Sequence, residues 1–379
     1  MKIGMVCYPT YGGSGVVATE LGKCLALRGH RVHFITHAQP VRLSLLTDRI
    51  HFHEVMVSDY PLFDYPSYEL TLSSKLVEVV EREKLELLHV HYAIPHAYAA
   101  YMAQRMLGEK GVYIPFVTTL HGTDITAVGH QPSYKPAVTF SINQSDAVTA
   151  VSRSLRDETY ECFDVRKDIQ VIYNFVDLDG TVVDPTRCER GALAGAHQRI
   201  ITHVSNFRPV KRIRDVIDIF YGIQKKIPAV LLMVGEGPEK RLAEDRVREL
   251  GLAKQVKFLG NCLEVGAVLH YSDLFLLPAE RESFGLAALE AMAFRTPVVS
   301  SDAGGLGEVN RNGFSGFLSP VGAVERMIQH GISILRDDAI LERFKNQARR
   351  VAAAFNRDEI VPQYESVYAA VVRDRAAVK

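Results

Sequence analysis

The sequence predicts an α/β fold built from two Rossmann-like, doubly wound parallel-sheet domains. Short apolar runs alternate with amphipathic helical stretches from the first residues onward. That alternation stops between Tyr173 and Gln198 and then starts afresh. A length of 379 residues also exceeds what one hydrophobic core normally supports.

The first series opens with a strand from Lys2 to Cys7, a helix from about Ser14 to Arg28 and a strand from Arg31 to Thr36. Further strands are read at Leu87 to Val90, Pro115 to Leu120, Ala147 to Val151 and Ile169 to Ile172, with helical segments between most of them. Strands separated by helices indicate βαβ units and a parallel sheet. The stretch from Asp177 through Arg187, Gly191 and Gly195 is rich in Asp, Gly and Pro and lacks periodicity. It reads as a linker over 176–199, between domains at 1–175 and 200–355. The second series comprises strands at Ile200 to Val204, Ala229 to Val234, Val256 to Leu259, Leu274 to Leu277 and Pro297 to Ser300, with helices from Lys211 to Lys226 and Glu239 to Leu250. A final helix over 356–379 is expected to pack back on the first domain. The two domains are expected to face one another across a cleft at the carboxyl ends of their strands, where open α/β sheets bind ligands.

Composition narrows the function. The chain is 47% hydrophobic and 23% charged, with 44 basic against 44 acidic residues, which leaves neither a disordered protein nor a basic footprint for nucleic acid. No run of about 18 apolar residues occurs, and the N-terminus enters a strand at once, so no membrane association is expected and the location expected is cytoplasmic. The five cysteines, Cys7, Cys24, Cys162, Cys188 and Cys262, are far apart and form no CxxC pair. They read as reduced thiols.

Three motifs follow strand ends. Gly12-Gly13-Ser14-Gly15 lies between the first strand and its helix, where glycines admit a close anion and free helical N–H groups favour it. Gly13 to Ala18 also fits G-x-G-x-x-G/A, which keeps an NAD-dependent oxidoreductase open. The acidic residue that this fingerprint expects about 20 positions on is missing from Thr36-His37-Ala38-Gln39. A tight turn without ligand is the plain alternative. Ser205 to Arg212 carries Arg208, Lys211 and Arg212 at the start of a helix, against the helix dipole unless an anion lies nearby, which points to a diphosphate. Glu282 and Glu290, around Ser283-Phe284-Gly285-Leu286, are too far apart to share one bond-breaking task. They suit two hydrogen-bonding positions along an extended, hydroxyl-rich ligand. Two metal-like patterns carry less: His89-x-His91 with His96 forms no closed ligand set, and Asp177-Leu178-Asp179 falls in the linker, so no metal is expected.

Taken in order, Gly12 to Gly15, His121-Gly122-Thr123-Asp124, Asn206-x-Arg208-Pro209-x-Lys211, Gly235-Glu236-Gly237-Pro238, Glu282 to Glu290 and Gly304-Gly305 resemble the retaining glycosyltransferases of family 4, which have the GT-B fold. The resemblance covers nearly the whole chain. The longer strings Pro9 to Gly22, His89 to His96, Thr118 to Thr126 and Asn206 to Arg212 are similar to the branch of that family that moves N-acetylglucosamine from UDP-N-acetylglucosamine to L-malate, the first step of bacillithiol biosynthesis.

The resemblance implies roles position by position. Arg208 and Lys211 would neutralise the diphosphate, Glu290 would bind ribose hydroxyls and Glu282 sugar hydroxyls. Ser283, Phe284, Gly285 and Leu286 would lie along the donor, as would Gly13, Gly15 and Asn206. His121 would stand beside the sugar and the reacting centre, completing a catalytic set of His121, Arg208, Lys211 and Glu282. Acceptor contacts are expected from Ser14, Tyr92, Thr119, Arg153 and Asn206, with Arg153 also readable as a plain surface arginine. No cofactor is implied, since UDP-N-acetylglucosamine is a substrate, and the partners are the two small-molecule substrates, with a homo-oligomer left open. Another acceptor, such as an inositol phosphate or a lipid, and a silent sugar-nucleotide sensor remain alternatives. The chain departs from the common pattern at Arg295, at Gly307 and in the linker around Asp184 to His197.

Overall fold

A computed structural model describes the chain except residues 11, 44–46, 58–67, 130, 182–188, 263–264 and 378–379 and the side chains of 374–377. Asp184, Arg187 and Cys188 therefore lie outside the described residues. Two units are present: Met1–Asn174 together with Asp358–Lys379, and Phe175–Arg357.

The sheet of the first unit has seven strands: β1 (Lys2–Val6), β2 (Arg31–Thr36), β3 (Ile50–Glu54), β4 (Leu87–His91), β5 (Phe116–Leu120), β6 (Ala147–Ala150) and β7 (Ile169–Val171). Their spatial order is β3-β2-β1-β4-β5-β6-β7, and every pairing is parallel. β4 and β5 are buried along their whole length, as expected for central strands covered on both faces. The helix Tyr68–Glu83 buries Leu72, Leu76, Val79 and Val80, one helical stripe, against Leu88, Val90 and Phe116.

The second unit has six strands: β8 (Arg199–Val204), β9 (Ala229–Val234), β10 (Val256–Gly260), β11 (Leu274–Leu277), β12 (Val298–Ser301) and β13 (Gly316–Ser319). Their order is β10-β9-β8-β11-β12-β13, again parallel throughout. The helix Ile213–Gln224 buries Ile213, Val216, Ile217 and Phe220 against Ile201, Leu231, Met233 and Leu276.

Two strands have no counterpart in the sequence reading. β3 (Ile-His-Phe-His-Glu) and β13 (Gly-Phe-Leu-Ser) are edge strands, only partly buried, so they lack the continuous apolar run of a central strand. The segment read as a linker also contributes to the second unit: Arg190–Leu193 is helical, and Leu193 and Ala194 pack with Ile200 and Val230. The last helix, Arg357–Ala377, joins the first unit from Asp358 onward. There Tyr364 and Tyr368 are buried, the Tyr368 hydroxyl bonds His89 Nδ1 at 2.7 Å, and Glu365 pairs with Arg28 and His30 at 2.9 Å each. Arg295, at φ +64, reaches Glu342 and Asn346, both at 2.9 Å, which gives this departure from the family pattern anchors of its own. Among the described residues no helix is long and apolar enough to cross a membrane.

Candidate functional site

Each sheet reverses its winding once, between β1 and β4 in the first unit and between β8 and β11 in the second. Such a reversal leaves a crevice at the carboxyl ends of the flanking strands. The glycine loop after β1, the Asn206 to Arg212 loop after β8 and the Glu282 loop after β11 fall beside these two points.

In the first unit, the helix Gly13–Leu27 starts from an extended Gly12 with no side-chain cap, so its leading N–H groups are unclaimed by any capping side chain. A Cβ on Gly15 would stand 2.6 Å from Tyr8 O, so only glycine lets the loop close onto the end of β1. Across the reversal, the Tyr92 hydroxyl after β4 donates to Ser14 Oγ at 2.5 Å. Having accepted that bond, Ser14 keeps its own proton available to donate to an acceptor group.

His121 directly follows β5, with its ring 5.3 Å from Tyr92, and its Nε2 bonds His91 Nδ1 at 2.7 Å. Burial and the neighbouring His96 lower its pKa to about 3, so the ring is neutral. Asp124, buried one turn later, accepts from the N–H groups of Ala93 at 2.8 Å and Gly122 at 3.1 Å, which ties the loops after β4 and β5 together. Burial raises its carboxyl pKa to about 6, partly offset by those N–H groups.

Thr119, read as an acceptor contact, lies inside the sheet. It is fully buried, and its hydroxyl bonds His89 Nε2 and Thr149 Oγ1 at 2.7 Å each, so it supports the floor of the site instead. Arg153 is exposed at the first turn of the helix Arg153–Cys162, which Ser152 caps through Leu155 N at 3.0 Å. The histidine pattern considered for metal is engaged otherwise: His89 bonds Tyr368 and Thr119, His91 bonds His121 and Met5, and His96 Nδ1 bonds the His91 carbonyl. Asp177 and Asp179 both pair with Arg357. A cluster that the sequence reading did not single out, His33, His53 and Glu83, brings ligand-type atoms within 4.8 Å of one another. There Arg82 donates to His53 Nδ1 at 3.0 Å, which leaves the proton of His53 on Nε2, facing His33 Nδ1 at 2.9 Å. Both nitrogens of His53 are thus engaged in hydrogen bonds, whereas the buried His33 Nε2 has no partner among the described residues.

In the second unit, the loop after β8 carries Asn206 and Arg208, both exposed. His203 and Ser205 shape it: His203 Nδ1 donates to the Leu276 carbonyl at 2.8 Å, and its Nε2 is 2.7 Å from Ser205 Oγ, which accepts from Phe207 N at 3.2 Å. This network joins the ends of β8 and β11. His203 went unread in the sequence because it lies inside β8, ahead of the motif that begins at Ser205.

Of the three cations, two already have carboxylates. Lys211 Nζ bonds Glu282 Oε2 at 2.5 Å, and Arg212 bonds Asp215 at 2.7 Å. The conflict with the helix dipole is thus met within the chain for both, and Arg208 alone of the three has no ion pair among the described residues. The loop after β11 is held by two backbone bonds, Glu280 N to Val210 O at 2.7 Å and Gly305 N to Glu282 O at 2.9 Å. Gly285, at φ +98, turns the chain into the helix Leu286–Ala293. Ser283, Leu286 and Glu290 are partly exposed, whereas Phe284 is buried against Phe355, with centroids 5.8 Å apart. Phe284 can offer a ligand only its backbone. Two cations and two carboxylates at one strand reversal can hold a phosphate-bearing ligand with hydroxyls on either side.

Residues 11–179 match the family described as Glycosyltransferase Family 4, and residues 190–351 match Glycosyl transferases group 1. The chain is 46% identical over 376 residues to the N-acetyl-alpha-D-glucosaminyl L-malate synthase of Bacillus anthracis, covering 99% of this chain and 98% of the other. Among solved structures it is similar to Anabaena Alr3699/HepE in complex with UDP-glucose, with a TM-score of 0.82, 21% identity and coverage of 98% and 100%. It is also similar to the sucrose-phosphate synthase (tll1590) of Thermosynechococcus elongatus, with a TM-score of 0.80, 20% identity and coverage of 100% of both chains. These structural likenesses show the fold, which is GT-B. The chain belongs to the family 4 glycosyltransferases, in the same family as the L-malate synthase of Bacillus anthracis.

Proposed function

We propose that this chain is a cytoplasmic, retaining glycosyltransferase that moves N-acetylglucosamine from UDP-N-acetylglucosamine to the hydroxyl of L-malate. The anomeric C–O bond to the diphosphate breaks, a bond from the malate hydroxyl oxygen to the same carbon forms, and the acceptor proton passes to the departing phosphate. UDP and the α-glycoside result. Negative charge grows on the diphosphate as the bond breaks, so preorganised cations there supply the largest share of the barrier lowering. Arg208 and Lys211 take that part, which makes the reaction independent of a metal. Glu282 holds sugar hydroxyls and Glu290 the ribose, and Ser14 donates to a malate carboxylate.

The observation that carries the substrate pair is the 46% identity over 99% of the chain to the Bacillus anthracis enzyme. The oxidoreductase reading has no ribose-binding carboxylate where β2 ends at Thr36. The decisive experiment is UDP release from UDP-N-acetylglucosamine with a panel of acceptors. Strong stimulation by L-malate is expected. A rate with L-malate no higher than with water would overturn the reading, and stimulation by an inositol phosphate or lipid acceptor instead would replace the acceptor.

A further inference from the structure

A short chain of side chains in the first unit ends at His121. Met5, on β1, places its sulfur 3.2 Å from His91 Nε2, and His91 Nδ1 lies 2.7 Å from His121 Nε2. Met5 and His91 are fully buried, and the His91 ring lies between those of His89 and His121, at 4.5 and 5.0 Å. Burial and the adjacent imidazoles lower the pKa of His91 well below its ordinary value, and that of His121 falls to about 3. Each ring therefore carries one proton, on one nitrogen.

A thioether has no proton to donate, so the contact with Met5 is a hydrogen bond only when His91 Nε2 bears the proton. His91 Nδ1 is then an acceptor, and it receives a bond from His121 only when the proton of His121 is on Nε2. The reverse arrangement would set a buried nitrogen lone pair against sulfur and leave it without a donor. His121 Nδ1, in turn, has no partner among the described residues. It belongs to the corner where the Tyr92 ring lies 5.3 Å from His121 and the Tyr92 hydroxyl meets Ser14, beside the strand reversal.

We propose that His91, braced by Met5, is a positioning residue that holds His121 in its Nε2–H tautomer, so that His121 Nδ1 meets a substrate hydroxyl as a hydrogen-bond acceptor. The proposal rests on the transferase reading for the identity of that substrate. The tautomer itself does not depend on it. Such a histidine can neither donate at Nδ1 nor act as a general acid there, which agrees with a reaction whose proton goes to the leaving phosphate.

The test combines imidazole nitrogen NMR of the full-length protein, labelled at histidine, with kinetics of variants. The Nε2–H form is expected for both His91 and His121 near neutral pH, and an Nδ1–H or doubly protonated His121 would overturn the proposal. His91→Gln, whose amide can accept from His121 and donate to sulfur, should keep kcat within about twofold, whereas His91→Leu should lower it about tenfold with little change in the KM for UDP-N-acetylglucosamine. Equal kcat values for a folded His91→Leu and His91→Gln would also overturn it. If His91→Leu does not fold, Met5→Leu preserves core volume and should bring an Nδ1–H population of His121 into view. An unchanged single tautomer in that variant would remove Met5 from the mechanism and refute the proposal as stated. An Nε2–H result without L-malate turnover would refute the acceptor and leave the positioning role standing.

Discussion

Lys211 Nζ and Glu282 Oε2 are 2.5 Å apart, joining the loop after β8 to the loop after β11 across the strand reversal of the second unit. Both side chains are 18% exposed, so each charge is held by the other in a partly desolvated place. Lys211→Ala removes a cation assigned to the leaving group and strands the Glu282 carboxylate. Turnover with UDP-N-acetylglucosamine and L-malate should fall at least about tenfold, or about 1.4 kcal/mol. Steady-state UDP release checks this, and a near-normal rate would refute the role of Lys211.

The position of Glu282 depends on the glycines that face it. A Cβ on Gly304 would stand 2.2 Å from the Glu282 carbonyl oxygen, at a backbone φ of +54. Gly304→Ala should therefore move the Glu282 loop and destabilise the protein by about 1–3 kcal/mol. The KM for UDP-N-acetylglucosamine should rise more than that for L-malate. Urea melts and initial rates measure the two effects, and an unchanged donor KM would separate Glu282 from donor binding.

Ser14 accepts from Tyr92 and has a proton left to donate. In Ser14→Ala, the loss of one bond to a carboxylate should raise the KM for L-malate by about 10- to 100-fold, for a charge-assisted bond of about 1.5–3 kcal/mol. The KM for UDP-N-acetylglucosamine should stay constant. A rise in the donor KM alone would move Ser14 from the acceptor side to the donor side.

Acid should affect the first unit before the second. Burial lowers the pKa of His89 and His121 to about 3, of His96 to about 4, and of His91 well below normal. Among the described residues of the second unit only His203 is comparably buried, with its pKa lowered to about 4. For these groups the folded pKa lies below the unfolded one, so the unfolded chain takes up protons first. Their stabilisation is complete above about pH 6.5 and declines as pH falls, by up to about 1.4 kcal/mol per pH unit for each histidine. Hydrogen exchange, corrected for its intrinsic pH dependence, should show protection lost from β1, β4 and β5 at a higher pH than from β8 and β11. The opposite order would contradict the assignment.

Much of this arrangement was legible in the sequence, and the limits have physical causes. Alternation of apolar runs with amphipathic stretches located the central strands to within a residue or two, because strands covered on both faces must be apolar throughout. It passed over β3 and β13, whose exposed edges admit His, Glu, Gly and Ser. Glu282, Gly285 and Glu290 could be placed on loop, turn and helix from spacing alone, since a positive-φ glycine at a helix start is a local requirement. The linker reading fell short because Leu193 and Ala194 gain their burial from strands that follow them in the chain.

By itself, then, the sequence determined the strand and helix order, the two-unit organisation and the residue types gathered at strand ends, all properties set by local pattern and loop chemistry. Tertiary structure decided which partner each polar group has. It gave Lys211 to Glu282 and Arg212 to Asp215, withdrew Thr119 into the sheet beside His89, and turned the His89–His96 pattern from a candidate metal site into hydrogen bonds that end at His121. The physical reason is that a hydrogen bond or ion pair requires contact within about 3 Å. Contacts between residues such as Lys211 and Glu282, or Met5 and His91, are created by strand order rather than by spacing along the chain.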